Sequence, residues 1–179
     1  MSTLNEYLVQ KKEAALKRQA KAKQTPNLPS DRYYAKAKVL GRSGVREIRI
    51  RNFQVISDSP TDFAGYDLGP SSPELQLGVL GSCLTHITLI QAALRGISLE
   101  SIEVEVSGEL HPLAGKEGYE HIPVYPHHLA YQLHIVSDES EETIATLYQE
   151  IERVCPIFNL LKYPQEIKGE LILTKSQSK

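Results

Sequence analysis

From Leu75 to Leu94 twenty successive residues carry no charge, and this run constrains the chain more than any other feature. A stretch of roughly twenty apolar residues also matches the thickness of a bilayer core. Here Gln76, Ser82, Thr85, His86, Thr88 and Gln91 interrupt it, so it reads as the buried helix of a soluble protein. Its ends are marked. Ser71 or Ser72 stands as the cap, Pro73 in the first turn and Glu74 just inside it, all residue types that helix N-termini favour. Gly96, directly after Arg95, is suited to close the helix in a left-handed conformation. Between these ends Leu77, Val79, Leu80, Leu84, Ile87, Leu89, Ile90 and Leu94 leave almost no polar face. A helix apolar on nearly every side lies in the middle of a fold or between subunits.

The segments around it read as follows. Residues 1–24 form an N-terminal helical extension, with Leu4, Leu8, Ala15 and Leu16 at near-helical spacing and a lysine-rich remainder. The Pro-containing stretch QTPNLPS ends it, with the linker proper at residues 25–30. The main domain then covers 31–179. Strand-like stretches follow at Tyr33–Leu40 and Val45–Phe53, joined by the turn GRSG (Gly41 to Gly44), with a further strand over Gln54–Ser57. Asp58 to Ser72 is a loop rich in Gly, Pro, Ser and Asp. After the long helix come strands at Ser101–Leu110 and Leu129–Val136, a helix over Glu141–Val154, and a closing strand over Ile167–Thr174. This order implies an α+β fold with a largely antiparallel sheet.

The chain is the size of one ordinary domain, at 179 residues. A formal net charge of −2 gives no whole-molecule field for nucleic acid or an anionic membrane. Two cysteines are too few for a secreted disulfide scaffold. The start, MSTLNEYLVQKKEAALK, lacks the apolar core of a secretory signal. Together these features point to the cytoplasm and to thiols that are reduced at rest.

The chemistry available centres on those cysteines. Cys83 sits inside the long helix in LGVLGSCLTHITL, where a lone cysteine often acts as a small hydrophobe. Cys155 falls at the end of the second helix in RVCPIFNLL. A helix C-terminus raises a thiol pKa, so Cys155 suits a resolving role better than an attacking one. To become a thiolate Cys83 needs a cation. Arg42 on the GRSG turn is one candidate; Arg46, Arg49 and Arg51 are others, on an alternating strand. The six histidines show no metal-ligand spacing: Cys83 and His86 are three apart but lack companions. His86 reads as a core or interface residue, and the loop from His111 to Tyr125 as a surface connection or a substrate mouth.

The segment PELQLGVLGSCLTHITLIQAALRG (Pro73 to Gly96) resembles the first long helix of the OsmC/Ohr family: Pro, acidic residue, apolar run, Gly, a small residue, then the reactive Cys. SIEVEVSGEL is similar to the strand that follows. ERVCPIFNLL resembles the family's second-cysteine motif, and GRSG its Gly-Arg-Asp-Gly turn. The likeness spans about Ala35 to Thr174. It implies an OsmC-like fold, mostly antiparallel with a long central helix, in an intertwined homodimer whose pockets lie between subunits. The N-terminal helix is then an addition, expected to pack across the partner subunit.

The resemblance implies a thiol-dependent peroxidase acting on organic hydroperoxides and hydrogen peroxide in oxidative-stress defence. Cys83 is then the attacking thiol, held as thiolate by Arg42, and Cys155 resolves the product to a disulfide. An external dithiol, lipoyl-type in the family's best-known branch, reduces it; no bound cofactor, metal, nucleic acid or membrane is implied. One departure stands out. The family's glutamate lies ten residues before the cysteine, where this chain has Pro73, and Glu74 is nine before. Nine residues on a regular helix put two side chains on opposite faces. Glu74 therefore either occupies an irregular first turn and acts in catalysis, or is a favourable N-terminal acid. Two other readings stand beside the enzyme: a binding module for an apolar small molecule with non-catalytic cysteines, and an interaction protein using its basic N-terminal helix.

Overall fold

The charge-free run forms one uninterrupted helix in the computed structural model, which describes residues 3–175. Ser71 precedes this helix in extended conformation, and the Glu74 carboxylate accepts hydrogen bonds from the Ser71 N–H and hydroxyl, at 2.7 and 2.6 Å. This is the acidic half of a capping box. At the other end Gly96 adopts φ +71°, a conformation glycine takes without steric cost, and its N–H returns to the carbonyls of Ala92 and Ala93.

In chain order the elements are α1 (Thr3–Lys23), β1 (Lys36–Val39), β2 (Arg46–Ile50), β3 (Phe53–Ser57), α2 (Ser72–Arg95), β4 (Ser101–Glu109), β5 (His127–Val136), α3 (Glu141–Val154) and α4 (Pro156–Lys162). The strands divide into two antiparallel sheets, β1-β2-β3 and the hairpin β4-β5, in place of one larger sheet. The hairpin lies against α2. Ile102, Val104 and Val106 of β4 and Tyr131, Leu133 and Ile135 of β5 form its apolar face, as the period-two pattern requires. Helices α1, α3 and α4 also pack on α2. The apolar run, long enough to cross a bilayer by length and composition, thus has protein partners in the hairpin and three helices.

Leu84, Leu99, Leu147, Ile151 and Cys155 are fully buried at the centre of this packing. Ile151 is the hinge between core and site, since its carbonyl accepts the Cys155 N–H at 2.9 Å. Truncating Ile151→Ala removes buried methylenes and leaves a cavity, which costs about 2–5 kcal/mol in such positions. Urea unfolding of the reduced variant should show that loss, and Ile151→Val a smaller one.

Three expectations are corrected. The strand expected over Val45–Phe53 ends at Ile50, and the one expected over Gln54–Ser57 begins at Phe53: these two residues pair across a two-residue turn in which Arg51 takes φ +55°. The apolar positions change phase across this turn, from Ile48 and Ile50 to Phe53 and Val55, with Arg51 and Asn52 between them. Tyr33–Leu40 narrows to the four residues of β1. Ile167–Thr174 forms no strand; Ile167 and Leu171 are each 91% exposed. A strand needs a neighbour for its backbone groups, and no described strand of this chain takes that place. Helix α1 packs on α2 of its own chain. Leu8 enters the core, and the Asn5 side-chain carbonyl accepts the Leu99 N–H at 2.9 Å.

The loop ahead of α2 is shaped by one buried acid. Asp58 accepts N–H groups from Tyr66 and Leu68, at 2.9 and 3.3 Å. Burial alone would raise its carboxyl pKa. The N–H groups of Ser59, Tyr66 and Leu68, with the Arg46 charge, outweigh that and hold it below the ordinary value. Gly65 is required here, because a Cβ would come within 1.8 Å of the Ser59 carbonyl oxygen.

Candidate active site

Helix α2 supplies Cys83, and the corner between α3 and α4 supplies Cys155. Cys155 ends α3 and begins α4, with Pro156 in the first turn of the new helix. Pro156 suits that place because its missing N–H is one that a first turn leaves unpaired anyway. Asn159 fastens the corner by donating from Nδ2 to the carbonyls of Cys155 and Glu152, at 2.8 and 2.9 Å. Reading the sequence did not single out Asn159, although its place four residues after the cysteine is the one a corner clamp needs.

These elements bring the two sulfurs to 3.5 Å. Both thiols are free, and the separation is a non-bonded contact; a disulfide bond is about 2.05 Å. The two sites differ in access. Cys155 is fully buried, whereas Cys83 is half-buried. Burial pushes the Cys155 thiol pKa up. The N–H groups of Phe158 and Ile157 at the start of α4 act in the opposite sense, and the Cys83 sulfur adds to the rise.

Cys83 opens into a groove of about 490 Å³ along α2, bordered by Leu75, Val79, Ser82, His86 and Ile157, with Glu74 at its N-terminal end. The His86 ring meets the groove three residues beyond Cys83. Partial desolvation there, with the Lys11 charge, holds its imidazole pKa below the ordinary value. Its neutral form is therefore favoured at neutral pH. Glu74 lies nine residues before Cys83 on a regular helix, about 13 Å along the axis. Its carboxylate is engaged by the Ser71 hydroxyl and N–H, which hold its pKa below the usual range.

The cations are elsewhere. Among the described residues no arginine or lysine borders the groove. Arg42 is exposed on the β1–β2 turn, with no hydrogen bond or ion pair among the described residues. Arg46 donates to the Ser57 hydroxyl and the Asp58 carbonyl, Arg49 pairs with Glu47 at 2.8 Å, and Arg51 lies over the Phe53 ring. The single chain therefore unites the two thiols with His86 but not with a guanidinium.

A second polar group, also not singled out from the sequence, lies between β5 and α3. The Tyr131 hydroxyl donates to Glu152 at 2.7 Å and lies 2.9 Å from the Tyr148 hydroxyl. Burial and the Glu152 carboxylate raise the Tyr131 pKa, so it stays a phenol.

A small α+β domain with one cysteine inside its central helix and a second at the corner of the helix packed on it defines a class of paired-thiol proteins. The chain belongs to the OsmC-like family: the family model for OsmC-like proteins matches residues 65–170. The fold agrees with solved structures. An OsmC-like protein from Mycoplasma pneumoniae superimposes with a TM-score of 0.63 at 21% identity, covering 75% of this chain and 89% of that one. An organic hydroperoxide resistance protein OsmC from Legionella pneumophila gives a TM-score of 0.55 at 20% identity, over 75% and 92% of the two chains. A putative organic hydroperoxide resistance protein from Vibrio cholerae, with captopril bound in one active site, gives 0.54 at 18% identity, over 77% and 89%. None of the curated proteins matches this chain in sequence.

Proposed function

We propose that this protein reduces organic hydroperoxides and hydrogen peroxide, using Cys83 to attack and Cys155 to resolve. Membership of the OsmC-like family and the hydroperoxide resistance names of two fold relatives support the reading. The observation that carries it is the 3.5 Å separation of two free sulfurs, one opening to a groove and one buried behind it.

The chemistry balances in three steps. The Cys83 thiolate attacks the terminal peroxide oxygen; the O–O bond breaks, the alcohol leaves, and Cys83 becomes a sulfenic acid. The Cys155 sulfur then attacks the Cys83 sulfur, the S–O bond breaks, and water leaves. An external dithiol, lipoyl-type on our reading, takes up the two oxidising equivalents and restores both thiols in the cytoplasm.

The protein works on this proposal as a homodimer. The groove needs a guanidinium that its own chain does not bring, and the exposed Ile167, Leu171, Ile172 and Leu173 need cover. Arg42 of a second copy would hold the Cys83 thiolate and polarise the peroxide.

Intact mass and thiol counting before and after stoichiometric cumene hydroperoxide test the activity. The expected result is loss of two hydrogens and of both thiols. Unchanged mass with both thiols still titratable would sink the proposal and leave the apolar-binding reading in its place.

A further inference from the structure

Away from the thiols, the open end of the β4–β5 hairpin breaks a local rule. Neighbouring residues of a strand point to opposite faces, so His127 and His128 should diverge. They do not: their rings meet edge to face with centroids 4.7 Å apart. The cause is a β-bulge. Pairing runs Ser107 to Ala130 and then Glu109 to His127, so two steps on β4 face three on β5. The additional residue is absorbed at His128, which takes φ +50°. Bulges often re-aim a side chain at a site, and a left-handed non-glycine residue is a local strain that functional sites hold.

The re-aimed group is a donor set. Glu109, His127 and His128 each present one ligand atom, and these lie within 4.8 Å of one another. Their tautomers follow from their partners. His127 Nδ1 meets the Tyr125 carbonyl at 3.2 Å, which only accepts, so Nδ1 carries the proton and Nε2 is left as a ligand atom. His128 Nδ1 meets the Glu109 carboxylate at 3.1 Å. The cavity they border, about 650 Å³, is also lined by His111 and His121, so four of the six histidines surround one opening. Leu113 donates its N–H to His111 Nδ1 at 3.1 Å, and the His111 ring stacks on Tyr119, which fixes that wall.

We propose that Glu109, His127 and His128 form a binding site for a divalent transition metal of the zinc class, separate from the thiol pair. Two imidazoles and one carboxylate are a donor set that such ions take, with a further position open to water or a fourth side chain. Tetrahedral coordination needs ligand atoms about 3.4 Å apart, given bond lengths near 2.1 Å. Glu109 and His128 are exposed and His127 half-buried, so side-chain rotation is available to close their present spacing. Ligation would take the place of the present contact between His128 and Glu109.

The thiol pair also attracts soft metals, so the test begins by removing it. Zinc is titrated calorimetrically into the full chain carrying Cys83→Ser and Cys155→Ser together. One ion per chain is expected. In that background His127→Ala and Glu109→Gln should each weaken binding at least about tenfold. His128→Gly relieves the left-handed strain, so it should keep its native circular dichroism while losing zinc affinity. His134→Ala, farther along the same strand, should bind zinc as the parent does. Zinc binding seen only while the cysteines are present, or parental affinity in His127→Ala or His128→Gly, would overturn the proposal.

Discussion

Replacing Cys83 by Ser should abolish hydroperoxide consumption, lowering kcat/KM by on the order of 10³-fold or more, as loss of a catalytic nucleophile does. A hydroxyl has neither the acidity nor the nucleophilicity of a thiol at neutral pH. Cys155 cannot stand in. It is fully buried, and burial raises its pKa, so little thiolate forms and peroxide has no path to it. Cys155→Ser should behave differently. The first turnover survives because the attacking sulfur and its groove are intact. Cys83 is then left as sulfenic acid and proceeds to sulfinic acid with excess peroxide. Stopped-flow peroxide consumption, with mass analysis of the products, separates the two variants. Equal steady-state activity in Cys83→Ser and the parent would end the assignment, and a Cys155→Ser enzyme that cycles normally with a dithiol would remove the resolving role.

That asymmetry was legible in the sequence because helix ends are legible. Ser71, Pro73 and Gly96 bound α2, and Cys155 follows the last apolar residue of α3, so each thiol could be placed on its element before any contact was known. Their 3.5 Å approach depends on how α3 crosses α2, which no local signal encodes. Arg51 shows the opposite limit. Its turn leaves only a one-residue change of phase, from Ile48 and Ile50 to Phe53 and Val55, and the pairing of Ile50 with Phe53 gives that change its meaning. The run Ile167–Thr174 has strand composition, yet a strand exists only with a neighbour. Glu74 was open between catalysis and capping. The bonds to Ser71 in a regular first turn give it a capping contact. The histidine cluster was invisible for a physical reason: a bulge cancels the alternation that makes His127 and His128 look like residues of opposite faces.

Oxidising the thiol pair should stabilise the fold by about 4 kcal/mol. A Cys83–Cys155 bond would link residues 72 positions apart. Chain-entropy bookkeeping gives about 3 kcal/mol for a 15-residue loop and about 4.7 for a 100-residue loop, so a loop of this size falls near the upper figure. The native state has little to give back, because the sulfurs are already in contact and the Cys155 side lies in the core beside Ile151. With a urea m-value of about 2 kcal/mol/M the midpoint should rise by about 2 M. Cross-linking also compacts the unfolded chain and lowers m, so the comparison belongs in free energy as well as midpoint. Oxidised Cys155→Ser, which cannot close the loop, is the control; equal stability of oxidised and reduced parent would show that no native disulfide forms. A bond this favourable must still be opened by the reductant. The leaving-group preference points one way, since Cys155 with its raised pKa leaves slowly. Access points the other way and decides, because an external dithiol can reach only the half-buried Cys83 sulfur. The mixed disulfide trapped from oxidised protein with a slow monothiol should therefore sit on Cys83, and its appearance on Cys155 would mean that the α3–α4 corner opens during turnover.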